Sequence, residues 1–143
     1  MTHWTPRLVE ARLAEAAAIL KRLPTDQTKG HLGHLPNPAA DLSRPPVCTT
    51  PAVRAPTPVS VQRMKEAVAW TRDLSTQDYE IVWARAFGIP WKAICRTVGL
   101  QRTAAHMHWT VALSRIALRL NGRRLERNAS QRRVVQRARA AKR

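Results

Sequence analysis

Five polar residues near the start of the last long helical segment have side chains that suit recognition of DNA bases. Glutamine and arginine can each make two hydrogen bonds to one base edge, glutamine to adenine and arginine to guanine. Threonine can contact a phosphate oxygen or a thymine methyl group. The predicted base-facing residues are Gln101, Arg102, Thr103, His106 and Thr110.

Basic residues around this set predict contacts with the phosphate backbone. Phosphates attract Lys and Arg whatever the sequence, so such contacts add affinity and position the protein without reading bases. The predicted phosphate contacts are Lys92, Arg96, Arg115, Arg123, Arg124, Arg127, Arg132 and Arg133.

The element that must position these side chains lies between Ser75 and Gly122. It consists of three helix-sized blocks, each closed by a glycine, and the connection after the short middle block is tight. This layout predicts a helix-turn-helix, whose second helix enters the DNA major groove. Ala105, Trp109 and Ala112 are predicted to be buried, which turns the polar set outward. Trp83, Trp91 and Trp109 are all expected in the core.

An amphipathic helix is predicted at the start of the chain. Thr5 and Pro6 favour a helix start, the apolar residues from Val9 to Leu23 recur on one face, and Pro24 ends the segment. Such a helix is marginal alone, so its apolar face needs a partner. It either docks on the domain core or pairs with a second copy through residues 8–23.

The sequence predicts an all-α protein with four regions. They are an N-terminal amphipathic helix (1–24), a Pro-rich linker (25–60), a helix-turn-helix domain (61–122), whose first helix is capped by Ser60, and a basic tail (123–143). The tail has few large apolar residues. We expect it to be frayed, or helical only when a partner neutralises its charge, and to act as a phosphate-binding arm of low specificity.

The charge of the chain indicates a polyanionic partner. It has 25 Lys and Arg against 9 Asp and Glu, a net charge of +16. This excess predicts double-stranded DNA as the partner. No apolar stretch is long enough to span a membrane, no signal peptide is recognisable, and two cysteines make no disulfide framework. We therefore expect no membrane partner and a cytoplasmic, nucleoid-associated protein of a bacterial cell.

No residue set predicts an enzyme, a cofactor or a metal site. His31 and His34 lack nearby acidic or cysteine ligands, and His106 and His108, two apart, point to different sides of a helix. Cys95 is expected in the core, and Asp78 is explained by helix capping.

Three passages resemble an uncharacterised family of short helix-turn-helix proteins from prophages and alphaproteobacterial genomes. They are WTPRLVEARLAEAAAILKRLP (4–24), VWARAFGIPWKAICRTVG (82–99) and ALSRIALRLNG (112–122). The spacing W-x-x-I-x-x-x-V-G-L is also similar to region 4 of sigma factors. The resemblance implies a phage-associated DNA-binding protein. A transcriptional regulator is the leading hypothesis. A DNA-recognition subunit similar to small terminase subunits and a protein–protein adaptor are the alternatives.

Overall fold

The regular elements that the computed structural model describes are all helices. It describes residues 2–23, 55–125 and 129–140. The helices are α1 (Pro6–Leu20), α2 (Pro58–Trp70), α3 (Thr76–Ala86), α4 (Trp91–Val98), α5 (Arg102–Leu120) and α6 (Gln131–Ala140). The all-α prediction is confirmed. Arg127, His31, His34 and most of the predicted linker lie outside the described residues.

The helix starts follow local capping signals. The Thr5 side chain accepts a hydrogen bond from the Leu8 N–H, and the Ser75 side chain accepts one from the Asp78 N–H, both at 3.3 Å, so both predicted starts are confirmed. The predicted start of α2 is wrong: Thr57, not Ser60, is its N-cap. Thr57 precedes Pro58 as Thr5 precedes Pro6, and this shared Thr-Pro signal places the start of α2 inside the predicted linker.

Helix α1 forms part of the main core. It packs against α2, α3 and α5, and Val9, Leu13 and Ala16 are at most 1% exposed. The first of the two alternatives for this helix is therefore the observed one. The apolar face predicted for pairing through residues 8–23 is largely covered within the chain.

Side-chain hydrogen bonds join separate elements at two places in this part of the fold. Trp83 is 1% exposed, and its indole N–H donates to the Thr71 hydroxyl at 3.2 Å; that hydroxyl in turn donates to the Val68 carbonyl at 2.8 Å. The side chain of Asn121, the C-cap of α5, accepts from the Trp4 N–H and donates to the Trp4 carbonyl, both at 2.8 Å. The second contact ties the start of the chain to the end of α5.

Helix α6 packs on α5 and corrects the prediction of a frayed tail. Val134 and Ala138, one turn apart, lie with Val111 and Leu118 of α5 in a second apolar cluster. This spacing gives a mostly basic helix one apolar side, and α5 covers it. The tail prediction is therefore wrong for Gln131–Ala140. Among the described residues, no helix combines the length and apolarity needed to cross a membrane.

Candidate nucleic-acid interface

Helices α4 and α5 are joined by a turn of three residues, Gly99 to Gln101. Gly99 has a φ of +69°, and the N–H groups of Gly99 and Leu100 both donate to the Cys95 carbonyl, at 3.0 and 3.3 Å. Gly88 ends α3 in the same left-handed region, with a φ of +81°. The predicted glycine ends of α3 and α4 are confirmed.

Aromatic contacts set the position of α4 against α5. The Trp91 ring lies edge-on to Trp109, with centroids 5.8 Å apart, and 5.4 Å from the His106 ring. The Arg85 guanidinium lies over Trp91 at 4.9 Å and donates to the Ile89 carbonyl at 3.1 Å. Trp83 is a core residue, and Trp109 is partly buried but packs against the main core, as predicted. Trp91 is partly buried and is not among the residues of that core, so its predicted placement was wrong; it contacts Trp109 across the α4–α5 interface.

A polar contact joins α3 to the middle of α5. The Asp78 carboxylate lies 2.8 Å from Nδ1 of His108, and both side chains are partly buried. From the sequence, Asp78 was expected only to cap α3. Its position in the first turn of α3 carries no signal of this partner, because the contact depends on how the two helices cross.

The N-terminal half of α5 presents a solvent-exposed surface, here called the outer face of α5. Successive residues of an α-helix are rotated by about 100°, so the residues of this face, between Arg102 and Thr110, fall within an arc of about 140° and extend over about 12 Å of the helix. Further along α5 the same side is covered, because Leu113 and Ala117 belong to the core shared with α1. The outer face consists of Arg102, Thr103, His106, Met107 and Thr110.

Four of the five predicted base-facing residues are exposed. Gln101 precedes the outer face, and its side chain makes no capping hydrogen bond to α5. Arg102, Thr103 and His106 are exposed as well, although His106 also contacts the two tryptophan rings. Thr110 is partly buried, and its hydroxyl donates to the His106 carbonyl at 2.9 Å. Its oxygen can therefore accept a further hydrogen bond, but its proton is already used.

Met107 is a member of the outer face that was not predicted from the sequence. Its side chain is 42% exposed. It was not among the predicted base-facing residues. Met107 lies four residues after Thr103, which faces outward, and this spacing could have identified it as a member of the same face.

The surroundings of the outer face are strongly basic. From Ile81 to Leu125 the sequence contains eight Lys and Arg residues and no Asp or Glu. Lys92 and Arg96 are exposed on α4, the helix whose Trp91 contacts His106 and Trp109. This segment therefore attracts anions without a carboxylate of its own to oppose them.

Three predicted phosphate contacts lie away from the outer face. One is on α5 and two follow the end of that helix. Arg115, Arg123 and Arg124 line a cleft of about 460 Å³ together with Arg119, which forms an ion pair with Asp73. On α5, Arg115 is about 140° from Arg102, nearly opposite the middle of the outer face. Arg115 thus faces away from the outer face, and Arg123 and Arg124 line the same cleft as Arg115. Arg132 and Arg133 lie exposed on α6.

The histidines near the outer face make contacts other than metal ligation. His106 lies against tryptophan rings and His108 against Asp78. Within the described ranges, no three His, Cys, Asp or Glu residues come together as a metal site.

A family model covers most of this interface. The model described as "Domain of unknown function (DUF6362)" matches residues 21–116, which is 96 of the 143 residues. The chain belongs to this family. The matched region includes α2, α3, α4 and the outer face of α5, whereas α6 lies beyond it. No curated protein and no solved structure matches the chain.

Proposed function

We propose that this protein binds double-stranded DNA, with α4 and α5 as a helix-turn-helix and the outer face of α5 in the major groove. The observation that carries the proposal is the exposed polar start of α5 within a segment that holds eight basic residues and no acidic residue. A solvated helix face without a ligand would not need such one-sided charge, since mixed charges keep a surface soluble.

The dimensions of the outer face support this function. The major groove is about 12 Å wide, which accommodates one helix. Gln101 and Arg102 would contact base edges, and Met107 would contact a thymine methyl group. Lys92 and Arg96 would contact phosphates along the groove, as α4 does not itself enter it. Arg115, Arg123 and Arg124 are not part of this interface.

The biological role that we favour is transcriptional regulation in a phage or prophage, inside a bacterial cell. The packaging alternative needed α1 as an oligomerising helix, and the apolar side of α1 is buried in the core. The adaptor alternative would be favoured by a contiguous apolar patch. Among the described residues, the exposed large hydrophobic side chains are Leu8, Val59 and Met107, on three different helices.

The test is the salt dependence of binding to a labelled mixed-sequence duplex, measured by fluorescence anisotropy. We expect log affinity to fall linearly with log salt, by about 0.9 per phosphate contacted. The double variant Lys92→Gln, Arg96→Gln should reduce this slope by about 1.8, because two phosphate contacts are lost.

The matched control is Lys65→Gln, Arg72→Gln, which removes the same charge from exposed positions in and after α2. It should leave the slope near that of the unmodified protein. Absence of binding at low salt, or equal effects of the two double variants, would overturn the proposed interface.

A further inference from the structure

Helix α6 has no role in the helix-turn-helix, yet it is held against the helix that carries the outer face. We propose that α6 is a fixed second DNA-binding element, which contacts the phosphate backbone across the major groove from α4. This inference rests on the proposed DNA binding by the outer face of α5. It differs from a flexible basic arm because the position of α6, and not only its charge, determines the contact.

The apolar side of α6 fixes the helix to α5. Val134 is fully buried and Ala138 is 6% exposed, against Val111 and Leu118, which are 3% and 1% exposed. Leu125, Ala129 and Val135 pack around this cluster. The four most buried residues are separate from the main core, so α6 can be released from α5 without removing any residue of that core.

The contacts on α5 place α4 and α6 on opposite sides of the outer face. Trp109 packs on Trp91 of α4, and Leu118 belongs to the cluster shared with α6. These two α5 residues are nine positions apart, which corresponds to about 180° around the helix. The arc from Arg102 to Met107 lies between those two directions. A duplex seated on the outer face would therefore have one basic helix near each side of its groove.

The exposed surface of α6 has the chemistry that phosphates require. Four arginines and no acidic residue occur between Gln131 and Ala140, and all four arginines are exposed. They fall on two edges of the helix. Arg133 and Arg137 lie one turn apart on one edge, and Arg132 and Arg139 lie two turns apart on the other.

Substitutions on the two edges of α6 distinguish a fixed helix from a flexible arm that contributes only charge. Arg133→Gln, Arg137→Gln and Arg132→Gln, Arg139→Gln remove the same charge from the same helix. A fixed α6 turns one edge nearer to the duplex than the other. We therefore expect one pair to weaken binding of a mixed-sequence duplex at least about fivefold more than the other, with a larger decrease of the salt slope. Equal losses for the two pairs would overturn the proposal, because a flexible arm would use all four arginines alike.

A second variant separates docking from charge. Val134→Ser keeps the net charge but places a hydroxyl in the apolar cluster, which should release α6 from α5. Trypsin should then cleave at the α6 arginines faster, while circular dichroism reports an intact α1–α5 core.

We expect Val134→Ser to weaken DNA binding about tenfold and to abolish the difference between the two arginine pairs. Unchanged affinity with faster cleavage of α6 would overturn the fixed element. Because the unmodified protein is measured in the same assay, failure of the whole DNA-binding function is recognised separately, as absence of binding at low salt.

Discussion

Arg102 and Arg115 are both exposed arginines of α5, and the structure assigns them different surroundings. Arg102 starts the outer face, whereas Arg115 lines the cleft with Asp73 and Arg119. Arg102 was predicted to face the bases and Arg115 to contact a phosphate beside the groove. Beyond Thr110, α1 and α6 cover the side that is open earlier, so the exposed side of α5 changes along its length.

This difference gives a prediction for two matched variants. Arg102→Ala should weaken binding to a preferred DNA site by about 1–3 kcal/mol, since it removes a contact to a base edge. Arg115→Ala removes the same charge and should change the affinity by less than about 0.5 kcal/mol, as expected of a surface substitution away from the interface. Isothermal titration calorimetry with the preferred duplex measures both. A larger loss for Arg115→Ala would assign DNA to the cleft side instead.

Some residue-level features could be predicted from the sequence and others could not. The outward position of Arg102, Thr103 and His106 follows from helical phase alone. The contact of Asp78 with His108, and the partial exposure of Trp91, depend on how separate helices cross. That information is not contained in the spacing of either segment.

At the level of elements, the helix ends were the most predictable features. Glycines closed α3 and α4, and Ser75 capped α3, because these signals act within a few residues. The error at α2 came from two competing local caps, Thr57 and Ser60. The error at α6 had another cause. Val134 and Ala138 alone offer too little apolar area to predict a packed helix, and the packing depends on the facing residues Val111 and Leu118 of α5.

The turn between α4 and α5 gives a prediction about stability. Gly99 adopts a left-handed conformation, and a Cβ added there would meet no atom within 4 Å. Gly99→Ala should therefore destabilise the protein by about 1–2 kcal/mol through backbone conformation alone. Gly99→Asn should cost less, because Asn tolerates this conformation. Urea unfolding measures both, and an alanine variant as stable as the unmodified protein would show that the turn changes its conformation.

At the level of the whole molecule, charge and packing divide the chain into two parts. Eight of the nine acidic residues precede Ile81, and the other is Glu126. Helices α1 and α2, which pack against each other, carry three acidic and four basic residues, whereas the charged residues of α4, α5 and α6 are all basic. The basic excess predicts a polyanionic partner, and docking on the core was one of two predicted alternatives for α1, but the sequence did not predict that α6 belongs to the packed structure.

We expect duplex DNA to bind the outer face of α5. The most direct test is a map of backbone amide chemical shifts by two-dimensional NMR as a mixed-sequence duplex is added at low salt. The proposed interface predicts the largest changes from Gln101 to Thr110 and in α4, with α2 unchanged. Changes confined to α1 and α2, or to the cleft lined by Arg115, Arg123 and Arg124, would contradict it.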